Sequence, residues 1–261
     1  MITDRVYEDY FKRSRLGEYR NTLIALRDAG YRMVGVCGFH RIVEGDEVRG
    51  KIVINRHDVD TSPRVAREMF EIEKEVYGQA GASTFYFRDS TIDTKLIAEI
   101  EAYGYETGYH YEELATYEKK HKTNSGDGMR QALSTVRKQF ALDLERFRKT
   151  TGSPSVTVAS HGDFINTRYG VHNYEILRDG TIREECGIAA EAYDRSMMQH
   201  VKARYADQIL LSGFRREVEA GIREGYDVMM TLTHPRNWKV DVIANTRENL
   251  VRLTEGLRYR L

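Results

Sequence analysis

The stretch Lys51–Pro63, with the sequence K-I-V-I-N-R-H-D-V-D-T-S-P, constrains the fold of this chain more than any other. Its apolar start, Ile52–Ile54, predicts a short buried β-strand, and the charged residues that follow mark the end of that strand. Thr61 or Ser62 can cap a helix that has Pro63 in its first turn. A strand that ends in charged residues and turns into a helix is typical of β/α proteins, in which sites lie at the carboxyl ends of the strands.

The charged cluster in this stretch contains two carboxylates that should lie on one face of the strand. Side chains alternate across extended backbone, so Arg56, Asp58 and Asp60 share one side if the extended geometry persists to that point. Two neighbouring carboxylates repel each other, and a divalent metal ion between them is the commonest solution. The pattern therefore indicates a candidate metal site at the end of this strand.

Four predicted strands end at a histidine, namely at His57, His110, His161 and His234, and a proline follows closely in two of these cases. A single histidine at a strand end is more typical of a buried, hydrogen-bonded side chain than of a ligand. The strand ends of a β/α barrel gather around one mouth, so residues far apart in the sequence can meet there. Together, the four strand ends indicate a metal site or an acid–base site.

Strand and helix patterns alternate along the chain, which predicts a mostly parallel sheet or barrel. No stretch has the composition of a linker, so we expect a single catalytic domain over 1–261, with a helix and strand of residues 1–50 packing on a barrel of residues 51–261. After the first stretch, the predicted strands are Ala82–Phe87, Tyr105–Tyr111, Ser155–Ala159, Gln208–Leu211 and Asp227–Thr233, and a weak strand, Tyr31–Cys37, precedes it. The predicted helices are 4–29, Pro63–Tyr77, Asp93–Tyr103, Met129–Thr150, Phe214–Glu224 and Thr246–Leu261.

Three segments lack a clear helical or strand pattern. Phe39–Gly50 is polar and turn-like, as in a lid or a simple hairpin, and Lys119–Gly128 has the composition of an exposed loop. Residues 164–205 alternate short apolar and polar pieces without a period. This segment and the loop at 117–128 are candidates for substrate selection, and variable surface loops are an equally good interpretation.

Composition excludes several classes of protein. Lys and Arg together number 40, as do Asp and Glu, and no basic stripe is present, so neither nucleic acid nor a membrane surface is an expected partner. Cys37 and Cys186 form no C-x-x-C pair, which argues against a disulfide framework or a thiolate zinc site. The start of the chain lacks an apolar signal region and no run is long enough to span a membrane, so we expect a cytoplasmic protein.

The candidate ligands suit a divalent ion of intermediate softness. Carboxylate and imidazole without thiolate fit Zn²⁺, and also Fe²⁺, Co²⁺, Ni²⁺ or Mn²⁺. Such an ion lowers the pKa of a water molecule and polarises an acyl oxygen. A nearby carboxylate can take the proton of that water, and a histidine can donate a proton to the leaving group.

These motifs resemble the polysaccharide deacetylase superfamily, the NodB-homology fold, which is a distorted (β/α) barrel; the resemblance covers about residues 50–240. R-H-D-V-D stands where the family has T-F-D-D and resembles a recognised sub-branch with an H-D-V-D strand end. G-Y-H-Y-E-E-L keeps His110 of the family's H-S/T-x-x-H motif, but Leu114 stands at its second histidine. Leu232, Thr233 and His234 match the L-x-H motif. The R-x-P-Y segment is replaced by S-H-G-D, and no D-x-x-D-W motif is found.

The resemblance implies roles for individual residues. Asp58 is implied as the catalytic base and His234 as the catalytic acid, with Asp60, His110 and His161 as metal ligands. Asp60 can replace the missing second histidine, although His161 and Glu113 are alternatives, and either Asp58 or Asp60 can be the ligand. The implied substrate-binding residues are Arg56, Arg88, Leu232 and Trp238, with Arg56 or Arg88 orienting Asp58 or an anionic substrate.

The resemblance also implies an activity, metal-dependent removal of an acetyl or other acyl group from an intracellular sugar derivative or a related amide. Two alternatives remain open. The missing second histidine favours a degenerate barrel that binds a sugar-like ligand without hydrolysis. A third interpretation keeps the metal and changes the reaction to hydrolysis of another small-metabolite amide, such as a ring amide, because fold alone does not determine function.

Overall fold

The structure, a computed structural model, describes residues 6–208 and 213–259 of the chain, apart from the side chain of residue 257. In these ranges the chain forms eight strands. The strands are β1 (Arg32–Val34), β2 (Ile52–Val59), β3 (Thr84–Phe87), β4 (Glu106–Tyr111), β5 (Thr157–Ser160), β6 (Ala190–Glu191), β7 (Ala203–Ala206) and β8 (Val228–Thr233).

Helices separate most of these strands. A π-helical turn, Tyr7–Phe11, comes first, and short 3₁₀ turns occur at Gly78–Ala80, Asp89–Thr91, Asn173–Arg178 and Pro235–Asn237. The α-helices are α1 (Leu16–Asp28), α2 (Val36–Glu44), α3 (Pro63–Tyr77), α4 (Thr94–Tyr103), α5 (Glu113–His121), α6 (Gly126–Gln131), α7 (Leu133–Thr151), α8 (Phe164–Tyr169), α9 (Gly180–Glu185), α10 (Arg195–Met198), α11 (Phe214–Glu224) and α12 (Val242–Tyr259).

The chain divides into two compact units. The first unit comprises Met1–Val34, Arg49–Ser83 and Val201–Leu261, and the second comprises Gly35–Val48 and Thr84–His200. The expected single catalytic domain remains a prediction. Among the described residues, no helix is both long and apolar enough to cross a membrane.

The first unit is built on a parallel sheet in the order β1–β2–β8–β7. All eight residues of β2 are buried, including the charged ones at its end. β2 and β8 pair in register, so that Asn55 lies opposite Thr231 and His57 opposite Thr233. Because both strands run in the same direction, they bring His57 and Thr233 to the same edge of the sheet.

The helix after β2 begins and ends where its sequence predicts. Ser62 is its N-cap and accepts a hydrogen bond from the main chain of Val65 at 3.3 Å, and Pro63 occupies the first turn. Val65 and Met69, which follow the helical period, are completely buried. Local signals therefore fix the turn that leaves the charged end of β2.

The second unit is built on a parallel sheet in the order β3–β4–β5–β6. His110 of β4 lies opposite Ala159 of β5. Gly108 allows these strands to pack closely, because a Cβ at that position would lie 2.5 Å from the ring of Tyr86 and 2.6 Å from the carbonyl oxygen of Thr157. The sheet thereby brings His110 beside the strand that leads to His161.

The predicted α/β class, with its mostly parallel strand pairing and its alternation of strands and helices, is confirmed. The prediction for Phe39–Gly50 is wrong in its first half, because α2 continues through that half to Glu44. Glu106 accepts hydrogen bonds from the main chain of Cys37 and Gly38 at 2.8 Å and so stabilises the start of α2. This stabilisation comes from a distant part of the sequence, which is why the local pattern does not reveal it.

Other boundaries also differ from the predictions. The loop predicted at Lys119–Gly128 is shorter, because α5 continues to His121 and α6 begins at Gly126. Of the predicted strand Gln208–Leu211, Gln208 lies in a turn and 209–211 fall outside the described residues. The last helix begins at Val242 rather than at Thr246, and its Leu250 and Leu253 side chains are 58% and 60% exposed.

Candidate active site

The end of β2 holds a buried ion pair between Arg56 and Asp58. Nε and Nη2 of Arg56 each donate to one carboxylate oxygen of Asp58 at 2.7 Å. Arg56 is completely buried and Asp58 is 4% exposed. A bidentate pair of this kind fixes the plane of the carboxylate, so Arg56 orients Asp58, one of the two roles expected for it. An ionised carboxylate accepts protons and hydrogen bonds and donates none.

His234, at the end of β8, is anchored by a carboxylate that follows β7. Its Nδ1 lies 2.7 Å from Oδ1 of Asp207, and its main-chain N–H donates to Oδ2 of the same residue at 2.7 Å. Asp207 is 1% exposed. Because a carboxylate only accepts hydrogen bonds, Nδ1 carries a proton and the Nε2 edge is the reactive edge of the ring.

The surroundings of His234 favour its charged form. Burial lowers its pKa, but the charge and hydrogen bond of Asp207, with the charges of Asp60 and Asp58, outweigh burial and raise the pKa of His234 to about 9. Oδ2 of Asp60 lies 3.9 Å from Nε2 of His234, and the side-chain nitrogen of Gln208 lies 2.9 Å from the same atom. When this ring nitrogen is protonated, the Gln208 amide has to turn its oxygen toward it. At neutral pH His234 is therefore an imidazolium that can donate a proton.

The sequence analysis did not identify Asp207. Its only local signal is its position directly after β7, a strand that the sequence pattern of 164–205 does not reveal. The same carboxylate accepts a hydrogen bond from Nε1 of Trp238 at 2.9 Å. Trp238 is 1% exposed, its ring lies 5.2 Å from that of Tyr19, and it supports Asp207. The expected substrate contact of Trp238 stays a prediction. Leu232 is partly exposed.

His57 faces a different environment from the other residues at the end of β2. Its Nε2 lies 2.6 Å from Oε1 of Glu73, and its Nδ1 lies 2.6 Å from Oγ1 of Thr233. Asn55 and the hydroxyl of Tyr19 also donate to Glu73. His57 and Glu73 are completely buried. His57 thus has the buried, hydrogen-bonded position that is usual for a histidine at a strand end. Its contacts link β2 to Thr233 of β8 and to Glu73 of α3.

In the second unit, His110 and His161 lie side by side with their ring centroids 5.2 Å apart. Nδ1 of His110 lies 2.9 Å from the carbonyl oxygen of Ala159, and Nδ1 of His161 lies 2.8 Å from Oε2 of Glu112. Both partners are acceptors, so both Nδ1 atoms carry the proton and the lone pair of each ring is on Nε2. Metal-binding histidines are typically fixed in this way by an acceptor on the other nitrogen.

Glu112 is held in place by Arg88. Nη2 of Arg88 lies 2.8 Å and 2.9 Å from the two carboxylate oxygens. Burial by itself raises the pKa of Glu112. The hydrogen bond and charge of His161, together with those of Arg88, outweigh burial and bring the pKa down to about 2. Glu112 is therefore ionised near neutral pH. In this unit Arg88 acts on His161 through Glu112.

Three possible ligand atoms of the second unit, from Glu112, His161 and Asp163, lie within 4.8 Å of one another, so this group could hold a metal ion. Asp163 also accepts from Nζ of Lys119 at 2.5 Å and from the main chain of Ile165 at 2.9 Å. Glu112 is already paired with Arg88 and Asp163 with Lys119, and of these two carboxylates Glu112 contacts His161. Leu114 is completely buried, so the position of the family's second histidine belongs to the apolar core.

No family model matches the chain, and no curated protein matches it. Two matching solved structures are peptidoglycan deacetylase PdaC from Bacillus subtilis and a mutant of that enzyme. Each has 11% sequence identity to this chain and a TM-score of 0.33, and the match covers 82% of this chain and 98% of the other. A likeness of this size carries no argument about function, which depends on the side chains described above.

Proposed function

We propose that this protein is a metal-dependent hydrolase that removes an acyl group, such as acetyl, from the nitrogen of a sugar derivative or a related amide. The observation that carries the proposal is the pair His110 and His161, each with Nδ1 fixed by an oxygen and its lone pair on Nε2. The choice of an acyl group as the group removed comes from the resemblance of the L-x-H and H-D-V-D motifs to those of the deacetylase superfamily.

The proposed metal ligands are His110, His161 and Asp60. Two imidazoles and a carboxylate without thiolate suit Zn²⁺, and also Fe²⁺, Co²⁺, Ni²⁺ or Mn²⁺. When bound, such an ion supplies Lewis acidity that polarises the acyl oxygen and makes water more acidic. The 2.8 Å contact between Nδ1 of His161 and Glu112, which Arg88 holds in turn, would keep the ring oriented for this role.

Two further groups of the chain would move the protons. Asp58, oriented by Arg56, takes the proton of the attacking water as general base. His234, charged at neutral pH because of Asp207, donates its Nε2 proton to the leaving amine. Loss of the amine as a neutral group then completes hydrolysis. Leu232, whose side chain is partly exposed, is the proposed apolar contact for the acyl group.

The test is elemental analysis of protein purified without added metal, beside the variants His110→Ala and Asp60→Ala. We expect about one metal ion per chain in the wild type and loss of metal in both variants. His200→Ala is the matched control, because the side chain of that histidine contacts only its neighbour Gln199 among the described hydrogen bonds. If zinc, cobalt and nickel all fail to bind the wild type, the hydrolase proposal is wrong and ligand binding without hydrolysis becomes the better interpretation.

The reaction is tested with a panel of N-acetyl sugars and cyclic amides, each assayed with several metals. Release of acetate from an N-acetyl sugar supports the deacetylase proposal. Turnover of cyclic amides alone would instead support a metal-dependent amide hydrolase of another kind.

A further inference from the structure

Helix α12 turns a polar face toward the rest of the first unit. Asn245 is 1% exposed, and its side-chain nitrogen donates to the carbonyl oxygen of Asp9 at 2.8 Å. Asn249 donates to Oδ2 of Asp9 at 3.0 Å, and Arg252 lines a pocket that also contains His234. Asn245, Asn249 and Arg252 are four and three residues apart, so they share one face of the helix. The side of α12 that contacts the rest of the unit is therefore polar.

The large apolar residues of α12 lie on a different face, which is exposed. Ile243, Leu250 and Leu253 are 84%, 58% and 60% exposed. Their spacing of seven and three residues places them in one stripe along the helix. In a helix on the surface of a globular protein, such a stripe normally faces the core. α12 thus exposes the side that a helix usually buries, which is typical of a surface that binds another macromolecule.

The turn that contacts α12 through Asp9 also has exposed aromatic side chains. Tyr7 and Phe11, at the two ends of this turn, are 52% and 69% exposed. The exposed parts of these two residues and of the stripe amount to roughly 500 Å² per copy, taking about 150 Å² for each fully exposed large side chain. The largest apolar patch on a monomeric protein is typically about 300–600 Å² and is often functional. Two copies would together bury about 1,000 Å², the size at which specific protein interfaces begin.

The spacing of the stripe favours a second helix as its partner. Ile243 and Leu250 are seven residues apart, the sequence repeats this interval at Leu257, and Leu253 lies between the last two. Apolar residues with a seven-residue repeat and one intermediate position form the seam between two paired helices. The same helix of a second copy has the same length and the same repeat, so its stripe matches this one along about 27 Å.

The charges of α12 favour a second copy over a membrane surface. The helix has three arginines and two glutamates, and the whole chain has 40 basic and 40 acidic residues, so two copies repel each other little. Helices that bind membrane surfaces are usually rich in Lys and Arg on the polar face. The polar face of α12 instead contains Asn245 and Asn249, which both bind Asp9. A lipid surface is thus the weaker candidate for the partner of the stripe.

We propose that two copies of this protein pair through α12, with the stripe of Ile243, Leu250 and Leu253 in one copy packed against the same stripe in the other. Such a contact is isologous, because both copies use the same surface. The pairing is independent of the proposed hydrolase function, since it requires neither metal nor substrate. Arg252 of α12 lines the pocket that contains His234, so the pairing would also hold one wall of that pocket in place.

The experiment is sedimentation velocity on the full chain at concentrations from about 1 to 100 µM. We expect the wild type to form a dimer as its concentration rises. Leu250→Glu should weaken dimerisation at least about tenfold, because the pairing would bury a carboxylate in an apolar seam. Val251→Glu is the matched control, since it places the same charge on the next residue, which is 48% exposed and lies outside the stripe. This control should dimerise as the wild type does.

Opposite charges test whether the two stripes face each other, and rescue also shows that the variants fold. Glutamate at both Leu250 and Leu253 should give a monomer, and so should lysine at both positions. An equimolar mixture of the two double variants should form a heterodimer, because opposite charges then meet across the seam. A mixture that stays monomeric would contradict direct contact between the stripes.

Three further outcomes would overturn the proposal. The wild type could remain a monomer over the whole concentration range. Leu250→Glu and Val251→Glu could dimerise equally well, which would place the interface elsewhere. A monomeric wild type could bind vesicles of phosphatidylcholine and phosphatidylglycerol and lose this binding in Leu250→Glu, which would make a lipid surface the partner of the stripe.

Discussion

Asp207 holds His234 by both its side chain and its main chain, with Oδ1 2.7 Å from Nδ1 and Oδ2 2.7 Å from the main-chain nitrogen. The indole of Trp238 donates to the same carboxylate, so Asp207 is fixed from three directions. This arrangement determines which nitrogen of His234 is protonated, how the ring is oriented and how strongly it retains its second proton. The acid role proposed for His234 therefore depends on Asp207 as much as on the histidine.

Replacing Asp207 by Asn should remove the charge that keeps His234 protonated. Without it, only the charges of Asp60 and Asp58 oppose burial, so we expect the pKa of His234 to fall from about 9 toward or below its ordinary value. Deacylation at neutral pH should fall about 100-fold or more, the usual effect of losing a general acid. NMR titration of the His234 ring measures the pKa, and kcat measures the catalytic loss. Asp28→Asn, at the exposed end of α1, is the control; an unchanged pKa in Asp207→Asn would contradict the assignment.

The raised pKa of His234 also predicts how stability changes with pH in metal-free protein. The folded state binds the proton more tightly than the unfolded state, so this stabilisation is complete below the unfolded pKa of 6.5 and is lost as pH rises through about 9. The shift corresponds to about 3 kcal/mol of unfolding free energy. Urea unfolding at pH 6, 8 and 10 should show this loss in the wild type and a flatter profile in Asp207→Asn. If the unfolding free energy changes with pH equally in the two proteins, the raised pKa of His234 does not cause the pH dependence.

Local signals explain what could be predicted from the sequence. The prediction that Arg56 and Asp58 share one face needs extended backbone at these residues, and β2 does continue to Val59. The start of α3 has the predicted N-cap, Ser62, and the predicted proline in its first turn. These features depend on backbone geometry and on neighbours within one turn. The predicted association of His110 with His161 is of the same kind, because adjacent parallel strands bring their ends to one edge.

The partners of the site residues could not be predicted in the same way. Asp207 binds His234 across 27 positions, and Glu112 binds His161 across 49, with no spacing motif to mark either pair. His57 lies in the same charged stretch as the candidate ligand Asp60. Because side chains alternate along β2, His57 instead contacts Glu73. Tertiary packing decides these contacts, and periodicity carries no information about them.

Replacing Arg56 by Met should destabilise the fold strongly, because the guanidinium that binds both oxygens of the buried Asp58 carboxylate is removed. Breaking one partner of a buried ion pair typically costs about 3–5 kcal/mol. Arg20→Met, at the exposed pair with Glu75, should change the stability far less, because water screens that pair. Urea unfolding measures both values. The double variant Arg56→Met, Asp58→Asn should recover part of the loss, and equal small effects at Arg56 and Arg20 would argue against a tight pair.

Replacing Glu112 by Gln tests whether the hydrogen bond to His161 prepares that ring for metal binding. The variant keeps the shape of the side chain but removes the ionised carboxylate that fixes the proton on Nδ1. Loss of such a partner lowers metal affinity about 10–100-fold, so zinc should bind correspondingly more weakly than in the wild type. Competition with a chromophoric chelator measures the affinity, and Glu185→Gln, an exposed residue at the end of α9, is the matched control. Unchanged zinc affinity in Glu112→Gln, with loss in His161→Ala, would show that His161 binds metal without this support. Unchanged affinity in both variants would remove His161 from the ligand set.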